Sequence, residues 1–141
     1  MNARVMPRVL ILVVLAAAAG AAHFVIGPRP AEVSAIAGPG EITVADAKSL
    51  ATPVIWVDAR PREKFDAGHI RGAMLLNGFE WDTLAPIFLD AWDPGSTIIV
   101  YCDGGTCTAS HEIADRIRAQ FELPDKVVVL KGGWEAWQSA R

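Results

Sequence analysis

The chain has 141 residues, 52% of them apolar, and a formal net charge of −3, which suits one compact domain behind a short leader. That balance supplies no polybasic surface, so nucleic acid and acidic membrane patches are excluded as expected partners. There is no internal repeat and no histidine–carboxylate cluster dense enough for a metal cage. Neither a metal nor a cofactor is expected, and the two cysteines become the groups to follow.

Residues 1–26 form a hydrophobic leader. Arg4, Arg8 and the amino terminus make its start positive, and Val9 to Ile26 is apolar apart from His23. At about 1.5 Å per residue that run reaches roughly 27 Å as a helix, enough to cross a bilayer core. Two readings stay open: an uncleaved signal anchor with its positive end in the cytoplasm, and a signal peptide cleaved within the small residues Ala16 to Ala22. Phe24-Val25-Ile26 extends the apolar run past those cleavage sites and favours the anchor. Either way the domain is expected on the periplasmic or outer side, tethered to the membrane or released after cleavage. That side is oxidising, so the state of two neighbouring cysteines matters. Residues 27–40, rich in proline and glycine, read as a tether.

From Glu41 to Arg141 the pattern is that of one domain. Ile42-Thr43-Val44 reads as a short strand, and Thr43 with Asp46 as the capped start of a helix through Leu50. Val54–Val57 is an apolar run of strand length, Arg62–Phe65 suits a helical turn, and Ala73–Leu76 a further strand. Leu84, Ile87, Phe88 and Trp92 fall at helical spacing. Thr97–Tyr101 is a strand that ends at Cys102. Ala109, Ile113, Ala114, Ile117 and Phe121 then line one face of a helix, Val127–Leu130 is a last strand, and Gly133–Ala140 a closing helix. Strands lacking in/out alternation, interleaved with amphipathic helices, imply an α/β fold whose parallel sheet is covered on both faces. Function in such sheets collects at the carboxyl ends of the strands, where Cys102 stands.

Four segments in order resemble the rhodanese-like family of sulfurtransferases. They are Val57-Asp58-Ala59-Arg60, Phe65-Asp66-Ala67-Gly68-His69-Ile70-Arg71-Gly72-Ala73, Val100-Tyr101-Cys102, and Leu130-Lys131-Gly132-Gly133-Trp134-Glu135-Ala136-Trp137. The resemblance spans residues 41–141. It implies a central parallel five-stranded sheet with helices on both faces, here preceded by one N-terminal hydrophobic helix. It further implies a catalytic cysteine, matching Cys102, that takes sulfane sulfur from a small donor as a persulfide and passes it to a thiol acceptor. Family loops often read C-x-x-G-x-R, with the arginine helping to hold anionic donors; here that place is Cys107. Cys102 to Thr108 therefore contains Asp103 and no basic residue, which disfavours thiosulfate as donor. It also disfavours the related phosphatases, whose C-x5-R arginine would fall at Thr108.

The residues of the loop argue for a reactive thiol on their own terms. A free cysteine titrates near 8.5, so lowering its pKa by roughly 1.5 units makes about half of it thiolate at neutral pH. Amides at a helix N-terminus favour that anion. Gly104 and Gly105 let the backbone curl around the sulfur, and Thr106, Thr108 and Ser110 offer hydroxyls for capping or for the sulfur. Cys107 has three readings: a resolving thiol that attacks the persulfide, a redox switch, or a small apolar residue packed under the loop. A disulfide requires Cα atoms within about 7 Å. Asp58 and Arg60 are expected to knit loops together near the site, and His69 to fix a loop rather than act as a base. Gly132, Gly133 and Trp134 are expected as turn and core residues bordering the mouth. Trp81, Phe88 and Trp92 fit the core better than a pocket wall.

Overall fold

The computed structural model describes residues 40–141. The leader 1–26, its expected hydrophobic helix and the linker up to residue 39 lie outside the described residues. Among the described residues no helix is long and apolar enough to cross a membrane.

The element order is β1 (Glu41–Ile42), α1 (Val44–Lys48), β2 (Val54–Asp58), α2 (Arg62–Ala67), β3 (Met74–Leu75), α3 (Trp81–Ala91), β4 (Thr97–Tyr101), α4 (Ala109–Phe121), β5 (Val127–Leu130) and α5 (Gly133–Ser139). All five strands are parallel and lie in the order β1-β5-β4-β2-β3. β4 is central, paired with β2 from Val54↔Thr97 to Asp58↔Tyr101 and with β5 from Ile98↔Val127 to Val100↔Val129.

Alternate β4 side chains feed two separate cores, which is why the strand reads as one unbroken apolar run. Ile98 and Val100 pack with Val57, Val129 and the inner faces of α3 and α4, including Phe88, Ile113, Ala114 and Ile117. Ile99 and Tyr101 face the opposite way, onto Val44, Ala47, Ile70 and Leu130, with Trp56, Trp134 and Trp137 closing that layer. Ile98, Ile99, Val100 and Tyr101 are wholly buried; each such aliphatic side chain contributes about 1.5–3 kcal/mol of transfer free energy. Burying both faces holds the carboxyl end of β4, and hence Cys102, in a fixed place.

Three local readings change. The first strand stops at Ile42, because Thr43 caps α1: its hydroxyl oxygen accepts the Asp46 amide at 3.2 Å. Val44 is thus helical rather than extended, and α1 ends at Lys48, short of Leu50. In α3 the buried stripe is Trp81, Ala85 and Phe88, while Ile87 is 56% exposed. Trp92 lies just past that helix, in extended backbone.

Candidate active site

Cys102 leaves β4 directly and is 3% exposed. Its carbonyl oxygen accepts the Trp134 amide at 2.7 Å, and the Asp103 carbonyl accepts the Glu135 amide at 2.9 Å. The first turn of α5 therefore grips the start of the loop through main-chain bonds. The approach is so close that a Cβ on Gly133 (φ +53°) would overlap the Cys102 carbonyl oxygen. A Cβ on Gly104 (φ +132°) would come within 2.6 Å of the Gly132 carbonyl oxygen. Both positions need glycine for space as well as for left-handed backbone. Farther on, the Cys107 amide donates to the Gly104 carbonyl at 3.1 Å and closes the turn, leaving Gly105 and Thr106 exposed.

The sulfur itself faces α4. Cys102 Sγ lies 3.3 Å from the hydroxyl of Ser110, a residue buried in the first turn of that helix. Ser110 can thus donate to a thiolate beside the positive end of the α4 dipole. Thr108 occupies the N-cap position without a side-chain cap; its hydroxyl donates to Glu112 Oε1 at 2.8 Å instead. Cys102 and Cys107 are joined as a disulfide, their Cα atoms 6.5 Å apart, inside the range a disulfide spans.

Beside the loop lies a buried ion pair. Asp58, at the end of β2, has no exposed surface, and Arg60 is 3% exposed. Arg60 Nε donates to Asp58 Oδ1 at 2.9 Å and Nη2 to Oδ2 at 2.6 Å. Nη2 also donates to the Gly68 carbonyl at 2.7 Å, and the guanidinium sits 4.8 Å from the Trp134 ring centre. Burial opposes the Arg60 charge, but hydrogen bonding and attraction from Asp58, then Tyr101 and Asp103, hold its pKa above the ordinary value. Tyr101 shows the opposite balance: burial raises its phenol pKa well above the usual range, although its oxygen accepts the Ile70 amide at 3.1 Å. His69 stacks on Phe65 with ring centres 3.9 Å apart, and its Nδ1 is 2.9 Å from the Phe65 carbonyl.

The charge balance at the loop differs from that of the loop residues alone. Asp103 pairs with Lys64 Nζ at 2.5 Å and lies 3.9 Å from Arg60 Nη1. These cations arrive from the β2–α2 segment and offset the Asp103 charge, so the expected repulsion of an anionic donor loses its basis. A shallow cavity of about 250 Å³ opens there, lined by Arg60, Lys64, Gly68, Asp103, Trp134 and Gln138 among others. The sequence marks Lys64 as a site residue only by its place in the helix that follows Arg60. Asn77 carries no sequence signal of its role either: its Oδ1 accepts the Phe79 and Glu80 amides at 3.0 and 2.9 Å, and its Nδ2 donates to the Arg60 carbonyl at 3.3 Å. It ties the β3–α3 loop to the ion-pair segment. Among the described residues no group of three or more metal-ligating side chains converges.

A parallel five-stranded α/β sheet with a cysteine loop gripped between two helix N-termini defines a class that comparison with known proteins makes specific. The family model described as the rhodanese-like domain matches residues 43–140, and the chain belongs to that family. Among solved structures, a Bacillus halodurans protein aligns at 27% identity and TM-score 0.58, covering 71% of this chain and 72% of its own. A rhodanese-related protein from Thermoplasma volcanium aligns at 18% identity and TM-score 0.54, covering 71% of this chain and 91% of its own. A rhodanese-like domain protein from Staphylococcus aureus aligns at 24% identity and TM-score 0.50, covering 69% and 89%. The last two likenesses concern the fold.

Proposed function

We propose that the domain is a sulfurtransferase in which Cys102 carries sulfane sulfur as a persulfide between a small donor and a thiol acceptor. The observation that carries this reading is the seat of the Cys102 sulfur: buried at the carboxyl end of β4 and 3.3 Å from the Ser110 hydroxyl in the first turn of α4. The thiolate attacks the outer sulfur of the donor, the donor's remaining part leaves with the bonding pair, and the new persulfide is then attacked by the acceptor thiol. A preformed thiolate needs no general base, which agrees with His69 being engaged by Phe65. An anionic donor approaching the loop would meet Lys64 and Arg60 beside Asp103 rather than an unbalanced carboxylate.

Reduced protein incubated with thiosulfate, inorganic polysulfide or glutathione persulfide should gain about 32 Da on Cys102, and Cys102→Ser should gain nothing. Absence of an adduct with all three donors would refute the proposal. The leader 1–26 belongs to the same proposal as a signal anchor that exports and tethers the domain. Its support is the positive start and the 18-residue apolar run Val9 to Ile26. Recovery of the full-length chain in an alkaline-washed membrane fraction is the expected result; a soluble chain shortened at Ala16 to Ala22 would favour cleavage.

A further inference from the structure

We infer that Cys107 is a resolving thiol, and that the loop converts a Cys102 persulfide into hydrosulfide and the internal disulfide. The inference rests on the sulfurtransferase reading and adds a product and a co-substrate to it. Three observations carry it. Cys107 is the one other cysteine in the sequence and lies in the same loop, five positions from Cys102. The loop brings the two Cα atoms to 6.5 Å and the two sulfurs together as a disulfide. The two cysteines also differ in access: Cys102 is 3% exposed, whereas Cys107 is half-buried at the rim.

The step balances without an added oxidant. Cys107 thiolate attacks the inner sulfur of the Cys102 persulfide. A bond forms between the two Sγ atoms, the bond between inner and outer sulfur breaks, and its electron pair departs with the outer sulfur as hydrosulfide. The proton lost from Cys107 ends on hydrosulfide or solvent. The sulfane sulfur is reduced by two electrons while the two cysteines become the disulfide. Regeneration requires an external dithiol as reductant. Because Cys107 is the more exposed of the two residues, that dithiol attacks Cys107, and Cys102 leaves as the thiolate held by Ser110. Exchange is fastest when the better-stabilised thiolate is the leaving group, so the unequal burial sets a direction for the cycle.

The test is a single turnover with inorganic polysulfide. Reduced protein is mixed with one equivalent, desalted and followed by intact mass and by hydrosulfide trapping. Wild type should show a transient gain of about 32 Da that decays to a loss of about 2 Da, with one equivalent of hydrosulfide released. Cys107→Ser should load the same persulfide and keep it at least tenfold longer, discharging only when external thiol is added. A wild-type persulfide as long-lived as that of Cys107→Ser overturns the inference while leaving the sulfurtransferase reading intact. Failure of both proteins to take up sulfur overturns the sulfurtransferase reading instead. A second readout checks direction. Reduction of the disulfide by a single-cysteine thioredoxin-type trap should leave the mixed disulfide on Cys107, and its recovery on Cys102 contradicts the proposed order of attack.

Discussion

Replacing Arg60 by methionine should destabilise the domain through what it leaves behind. Asp58 has no exposed surface, and the only cation bonded to it is the Arg60 guanidinium; the Arg60 amide, 3.0 Å from Oδ1, survives the substitution but carries no charge. Arg60→Met keeps much of the volume but strands a carboxylate in the sheet, a change that costs about 3–5 kcal/mol when one partner of a buried pair is removed. A domain of this size has about 5–15 kcal/mol in total, so the loss is a large fraction. With a urea slope of about 1.5 kcal/mol/M the midpoint should fall by about 2–3 M. The double variant Asp58→Asn/Arg60→Met removes the stranded charge while still lacking the Gly68 hydrogen bond and the stacking on Trp134. Its loss should shrink to about 1–2 kcal/mol. Urea melts of wild type, single and double variants at one pH decide the matter. A double variant no more stable than Arg60→Met would refute the burial argument and assign the loss to the Gly68 and Trp134 contacts.

Further outcomes follow from the same geometry. Gly133→Ala forces a side chain onto the Cys102 carbonyl at a φ of +53° and should cost about 1–3 kcal/mol, read as a lower melting temperature. Gly105→Ala, at φ +58° with open space around it, should cost only about 1 kcal/mol. Ser110→Ala removes the hydroxyl 3.3 Å from Cys102 Sγ. If that bond to a thiolate is worth about 1.5 kcal/mol, the midpoint of iodoacetamide reactivity against pH in Cys107→Ser protein should rise by about one unit. Tyr101 is the only tyrosine in the chain, so phenolate absorbance reports it alone. Its folded pKa is raised above the unfolded value, so the unfolded chain loses its proton first as pH climbs past about 10. Native protein should show no phenolate there while urea-unfolded protein does, and stability should fall by about 1.4 kcal/mol per pH unit in that window. Coincident native and unfolded titrations would contradict the buried phenol.

Much of this architecture is legible because parallel strands buried on both faces announce themselves. Thr97 to Tyr101 has no polar alternation, so only a central strand fits, and the residue after it must stand at the functional edge of the sheet. Asp58, Arg60, Gly132 and Gly133 are recognisable as landmarks from their segments, since each is demanded by a close backbone approach or a buried charge. What stays hidden depends on contacts between segments. Lys64 reaches Asp103 across 39 positions of sequence, and nothing in either neighbourhood signals the pairing. The α3 stripe misleads because Leu84, Ile87 and Phe88 have helical spacing, yet Trp81 sets the phase and turns Ile87 outward. Thr43 sits where strand and helix propensities meet, and a single side-chain-to-amide bond to Asp46 decides for the helix.

The flanks of the sheet have a consequence of their own. β1 and β3, its two outermost members, are only two residues long, so a neighbouring molecule finds barely a dipeptide of unsatisfied amides on which to zip. Ribbon-like polymerisation by strand addition lacks a template. Crowded copies of this domain are therefore poorly placed to join edge to edge, although the inner strands Thr97–Tyr101 and Val127–Leu130 are rich in β-branched apolar residues.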